Sequence, residues 1–286
     1  MPPESVGARN NMRAALTAFL LLCFPAIAAA EPPPVTSFTN FPKFELMKIS
    51  PKGTYLAFTH HMTEHDVLTV LRLRDLKAMT QSHFGDRIDI AHFEWANDSR
   101  LLISPTRRFP GLISYKAPTG ELIGLDADGK GLELLFGYQA GKDQIGTRVA
   151  QRQSTYAPAE FLDRLPADSM EVLIQTYGYS YEGEFNSAYR MHIRSGKLTK
   201  VAGSPIRNGV FMPTPEHHIL LVSGEDKEGD SEVFYRTAEN SEWKKLVSSA
   251  MGEGTLWPVA PSGQDGEYYV LDDRDAPTRE IGRAHV

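Results

Sequence analysis

One short phrase recurs along this chain and limits what it can fold into: a polar turn, then a brief run of apolar β-formers. Ser50-Pro51-Lys52-Gly53 precedes Tyr55-Leu56-Ala57-Phe58-Thr59, and Trp95-Ala96-Asn97-Asp98-Ser99 precedes Leu101-Leu102-Ile103-Ser104. The same order holds where 166–169 meets 170–174, where 213–217 meets 219–222, and where 261–265 meets 268–271. Gly, Pro, Asn and Asp turn the backbone, and the apolar runs are too short for helices. From one turn end to the next, the steps are 46, 70, 48 and 48 residues. Three of these approach the ~40–50 residues of a four-stranded repeat unit. The long step implies an insertion, placed here at 139–164. Within it Pro158 stands early and Phe161 and Leu165 lie four apart, which predicts a short helix over 158–165.

A second phrase completes the unit. Residues 68–73, 189–194 and 233–236 are strand-like, and each leads into a polar turn: Asp75-Leu76-Lys77, Ser195-Gly196-Lys197 and Glu239-Asn240-Ser241. In the middle copy Tyr189, Met191 and Ile193 share one face, with Arg190, His192 and Arg194 on the other. These are expected to be third strands turning into fourth strands. Composition agrees, with 23 Gly, 19 Pro, 14 Phe, 11 Tyr and 3 Trp. A four-stranded unit cannot cover its own apolar faces, so such units stack around an axis. The expected fold is all-β, a β-propeller of four-stranded blades, incomplete at about four and a half blades. A β-sandwich is the coarser alternative.

The stretch Ile49-Ser50-Pro51-Lys52-Gly53-Thr54-Tyr55-Leu56-Ala57-Phe58 resembles the S-P-D-G-K-x-I-A-F repeat of TolB-like propellers. Trp95-Ala96-Asn97-Asp98-Ser99-Arg100-Leu101-Leu102 is a second copy, and residues 189–201 are similar to the strand pair that follows in such repeats. Signal, extended lead and propeller in that order resemble the N-terminal half of exported prolyl oligopeptidase family serine peptidases. These include dipeptidyl-peptidase-like and acylaminoacyl-peptidase-like members. The resemblance implies a non-catalytic propeller that gates short peptide substrates for a covalently continuous α/β-hydrolase domain. That domain carries a Gly-x-Ser-x-Gly elbow, and no such motif occurs here: Gly178-Tyr179-Ser180-Tyr181-Glu182 lacks the closing glycine. No catalytic residue is therefore assigned. The alternative is a stand-alone periplasmic TolB-like propeller that binds a protein partner.

The start of the chain reads as an address. Arg9 and Arg13 precede an apolar run over 14–27, and Ala28-Ala29-Ala30 follow. The run is shorter than the ~20 residues of a membrane span, and Pro25 interrupts it. Residues 1–30 are expected to be a cleaved signal peptide, 31–43 an extended lead, and 44–280 the incomplete propeller. The product is expected to be periplasmic or secreted, without a stable membrane anchor. The single cysteine, Cys23, falls in the signal, so the mature chain carries no disulfide. The last six residues, Ile281-Gly282-Arg283-Ala284-His285-Val286, are the translation of a common short-read sequencing adapter. Residues 281–286 are accordingly read as foreign to the gene, and the propeller as cut in its fifth blade.

A net charge of −6 with no dense Lys/Arg run argues against nucleic acid. His61-Met62-Thr63-Glu64-His65 matches a zinc-peptidase pattern that works only on a helix. It falls between two strands, so a solvated hairpin loop and no metal are expected. Asp126-Ala127-Asp128-Gly129 opens like a calcium loop, but its twelfth position is Gly137, so a tight turn is expected. The acidic run 225–230 is expected to be a hairpin tip, and Asn97-Asp98-Ser99 a turn. No cofactor is expected. The resemblance points to one substrate-binding pair, Glu182 and Glu184: some dipeptidyl-peptidases of the family hold a substrate's free amino terminus with paired propeller glutamates. A carboxylate pair suits an ammonium by charge and hydrogen bonding.

Overall fold

Each strand expected from the turn-strand phrase is present, and each is the second strand of its sheet. The structure, a computed structural model, describes residues 44–62, 65–110, 115–138, 157–166, 168–178, 185–264 and 266–285. The first sheet is β1 (Met47–Ile49), β2 (Tyr55–His61), β3 (Asp66–Arg72) and β4 (Lys77–Ser82). The second comprises β5 (Ile88–Asn97), β6 (Arg100–Phe109), β7 (Tyr115–Pro118), β8 (Leu122–Asp126) and β9 (Glu133–Phe136). The third is β10 (Ala159–Arg164), β11 (Glu171–Thr176), β12 (Ser187–His192) and β13 (Leu198–Gly203). The fourth is β14 (Val210–Pro213), β15 (Ile219–Glu225), β16 (Ser231–Tyr235) and β17 (Lys244–Ser249). The fifth is β18 (Leu256–Pro261), β19 (Glu267–Asp272) and β20 (Glu280–His285). Every pairing is antiparallel, and strands follow one another across each sheet in chain order.

The turns are built as their residues demand. Ser50 Oγ accepts the backbone N–H of Thr54 and of Tyr55, both at 3.0 Å, and Gly53 takes φ +71°. Asp98, from the matching turn of the second sheet, then grips this one. It accepts Ser50 Oγ at 2.7 Å, the Lys52 N–H at 2.8 Å and Thr54 Oγ1 at 2.6 Å. The repeated polar turn therefore shapes a hairpin and also fastens one sheet to the next.

Four apolar clusters lie between successive sheets. Ala57, Leu68 and Val70 meet Phe93, Trp95 and Leu101; Leu102, Leu122 and Phe136 meet Val172, Ile174 and Met191. Leu173 and Ala188 meet Phe211 and Val222; Leu221 and Val233 meet Tyr268 and Val270. Neighbouring residues of one strand thus serve opposite cores: Leu102 and Ile103 part company, as do Leu173 and Ile174. Burial on both faces explains why the second strands are continuous apolar runs rather than alternating ones. The first strands touch in succession, β1 to β5 to β10 to β14 to β18, and so lie innermost around a common axis. This is the radial arrangement of propeller blades, four of them with all four positions filled and the fifth with three strands.

Two expectations change. Where a helix was expected over 158–165, Ala159–Arg164 form strand β10. Ala159 N–H donates to Gly120 O at 3.0 Å, Tyr177 N–H donates to Pro158 O at 2.9 Å, and Phe161 pairs with Ile174. Partners on β11 satisfy the backbone, and Phe161 and Leu162 then point into different cores. The extra length of the second unit also lies partly upstream of 139. β5 and β6 each run ten residues, and β6 pairs with β8 through Ile103 and then with β7 from Thr106. β7 and β8 are one third strand broken at Thr119–Glu121. Residues 280–285, which include most of the terminal hexapeptide, pair along β19 as β20.

Candidate functional site

Meander order puts the β2–β3, β4–β5 and β11–β12 connections at one end of their sheets. Two contacts knit that end together across sheets. Asp66, 2% exposed, accepts the Ile90 N–H at 3.3 Å, and Asn186 Nδ2 donates to Gly209 O at 2.9 Å. Glu182 and Glu184 belong to the β11–β12 connection and lie outside the described residues.

What the structure places at the root of that connection is a third carboxylate. Glu160 is exposed on the innermost strand β10, opposite Gln175. Tyr177, two residues beyond Gln175, donates its hydroxyl to Glu160 Oε2 at 2.5 Å. Burial and the Glu160 charge push the Tyr177 phenol well above its ordinary value, so it stays a donor. The helix expected over 158–165 gives Glu160 no cross-strand partner. The strand register is what brings residues 160 and 177 together.

Met47 and Ile49 on β1, Val210 on β14 and Val259 on β18 are exposed apolar side chains of first strands; Met47 and Ile49 stand opposite Phe58 and Leu56, on the face of the first sheet turned away from the second. Beside them Lys48, His92 and Glu94 form a charged group. Lys48 Nζ pairs with Glu94 Oε1, and His92 Nε2 lies 2.8 Å from the same oxygen. Burial alone would raise the Glu94 carboxyl, but hydrogen bonds from His92 and Lys48 hold it below its usual value.

The other singled-out motifs resolve into turns. His61 closes β2 and His65 precedes β3, with the Met62 N–H donating to His65 O at 2.9 Å across a hairpin. His61 Nδ1 contacts Asp66 Oδ1 at 2.8 Å, while the His65 ring lies 4.6 Å from His83. Glu64 is outside the described residues. Among the described residues no group of three His, Cys, Asp or Glu is placed to hold a metal ion. Asp126 starts the expected tight turn, with the Gly129 N–H donating to its carbonyl at 2.8 Å. Its carboxylate is taken by Arg100 at 2.8 Å and Arg194 at 3.0 Å. Asp226 caps its own hairpin tip by accepting the Glu228 and Asp230 N–H groups. No helix among the described residues is long and apolar enough to cross a membrane.

The fold defines a β-propeller. No family model and no curated protein matches the sequence. Among solved structures, the chain is similar to an acylaminoacyl peptidase of Pyrococcus horikoshii, with 13% identity, 81% of this chain and 36% of that one covered, and a TM-score of 0.43. TolB from Acinetobacter baumannii gives 11%, 84%, 54% and 0.39. A structure from a study of two prolyl endopeptidases gives 12%, 99%, 40% and 0.49. The chain spans between 36% and 54% of the length of these structures, and at such identities the likeness concerns the fold alone.

Proposed function

We propose that this chain is the non-catalytic, substrate-gating propeller portion of an exported serine peptidase acting on short peptides, its hydrolase domain lying outside the sequence given. The observation that carries this reading is the make-up of the first strands. First strands carry exposed apolar side chains, and Glu160, oriented by Tyr177, stands at the root of the connection that holds Glu182 and Glu184. Apolar walls accept an extended peptide, and a group of carboxylates suits its free ammonium. The apolar leader followed by Ala28-Ala29-Ala30 supports export.

Reading the source gene past the codon for Arg279 tests the proposal. A following domain with a Gly-x-Ser-x-Gly elbow, then Asp and His, is the expected result. A stop after one or two more blades would overturn it in favour of a free-standing propeller that binds a protein partner. In the intact enzyme, Glu182→Gln with Glu184→Gln is expected to raise KM about tenfold for peptides with a free amino terminus, and to spare their acylated forms.

A further inference from the structure

We propose that a cleft at one end of the second sheet binds an organic monocarboxylate with an apolar body, the chemistry of a peptide's C-terminal residue. The cleft lies where β5 begins and β6 ends and has a volume of about 520 Å³, within the ~300–1,000 Å³ range of small-ligand pockets. Three arginines, Arg87, Arg107 and Arg108, are among its lining residues. Arg87 and Arg107 are both exposed, and neither forms an ion pair among the described residues. The nearby buried carboxylate does not serve them. Asp89, 0% exposed, is held by Arg108 at 2.8 Å and by Lys116 at 3.1 Å. That leaves the single carboxylate of Asp86 on the cleft wall against two uncompensated cations.

The cleft is also positioned and partly apolar. Arg87 is held at φ +62°, a conformation that side chains other than glycine seldom adopt. Its carbonyl accepts the Arg108 N–H at 2.8 Å, which locks it to the end of β6. Ile88, Phe109 and Pro110 supply the rest of the wall, and Phe109 is backed by Tyr115 with ring centroids 5.1 Å apart. A guanidinium offers a planar fork that matches a carboxylate through two parallel hydrogen bonds. An apolar wall beside it favours a carboxylate carrying a hydrocarbon group over a bare anion. The cleft shares no residue with the Glu160–Tyr177 pair, and the inference stands whether or not a hydrolase domain follows.

Calorimetric titration of the full chain with N-acetyl-leucine, its amide, acetate and inorganic phosphate tests it. Saturable binding of N-acetyl-leucine is expected, with the amide, acetate and phosphate each weaker by about tenfold or more. Arg107→Met and Arg87→Met should each weaken N-acetyl-leucine by about tenfold, and Arg107→Lys by less. Arg74→Met, in the β3–β4 turn at the opposite end, should leave binding unchanged. Because Arg107 is exposed, its variants are expected to melt with the parent, so a loss of binding at unchanged melting reads on the site. Three results would overturn the proposal: no saturation, an amide bound as tightly as the acid, or binding that survives both methionine variants. Phosphate bound as tightly as N-acetyl-leucine would overturn it too, by marking a bare anion site.

Discussion

Two rows of side chains, each crossing three strands, lead very different lives. In the third sheet Phe161, Ile174 and Tyr189 stand opposite one another and pack on the second sheet, with Ile174 fully buried. In the fifth sheet Trp257, Leu271 and Ile281 stand opposite one another in the same way, yet Ile281 is 77% exposed. Side-chain chemistry is similar in both rows. The difference is the presence of a neighbouring sheet, so burial in this fold belongs to the pair of blades and not to the strand.

If that is right, the largest effects belong to groups that serve two sheets at once. Arg100 is the extreme case. Its side chain is fully buried at the start of β6, pairs with Asp126 and Glu133 of its own sheet, and donates to Ile193 O of the third sheet at 2.7 Å. Arg100→Ala leaves the Ile193 carbonyl without this donor and takes from Asp126 one of its two guanidinium partners, Arg194 remaining. It is expected to cost about 3–5 kcal/mol in denaturant unfolding. A loss under about 1 kcal/mol would show that the second and third sheets do not depend on this tie.

Leu173→Ala comes next. Leu173 is fully buried against the fourth sheet, while its neighbours Val172 and Ile174 are buried against the second. The truncation leaves a cavity between rigid sheets, and about 3 kcal/mol of stability should be lost. The comparison weakens if Leu271→Ala, in the fifth sheet, costs as much.

The contrast also explains what could be read from the chain alone. Second strands were legible because their signal is local: a turn residue such as Gly53 or Asp98, then an apolar run that must be buried on both faces. First strands were not. β1 and β14 are three and four residues long, and their place is fixed by contact with other first strands. β10 was misread because a proline and two apolar residues four apart fit a helix equally well, and only its pairing with β11 decides. The site suffered for the same reason. Glu160 and Tyr177 are 17 positions apart, and His61 and Ile90 meet through Asp66, so neither relation has a spacing to recognise.

A smaller effect tests the turn-to-turn tie between the first two sheets. Burial would raise the Asp98 carboxyl, but hydrogen bonds from Thr54, Ser50 and the Lys52 N–H outweigh it and hold it below its usual value. A depressed folded value contributes stability that is fully present above the unfolded pKa of about 3.9 and disappears as pH falls through the folded value. Thermal melting from about pH 5 down to about pH 2 should therefore lose less in Asp98→Asn than in the parent. At neutral pH the same change should cost about 1 kcal/mol, because the amide replaces one acceptor oxygen with a donor facing donors. Parallel acid profiles for the two proteins would remove Asp98 from the account.

The smallest expected effect cuts closest to the comparison. Ile281 stands directly opposite Leu271 on β20, and that row continues to Trp257, but no cluster of buried residues receives it. Only Ala284, on the other face of β20, packs toward the fourth sheet. Truncating an isoleucine that remains largely in water removes little buried area, so Ile281→Ala should shift stability by no more than about 0.5 kcal/mol. The same substitution at Ile174, in the covered row of the third sheet, should cost several times more. A loss of about 2 kcal/mol at Ile281 would mean that the Trp257–Leu271–Ile281 row is covered in solution. Repeating the melt over a hundredfold range of protein concentration then separates the two ways of covering it. A midpoint that rises with concentration assigns the cover to a second copy of the chain, and a constant midpoint assigns it to the same molecule.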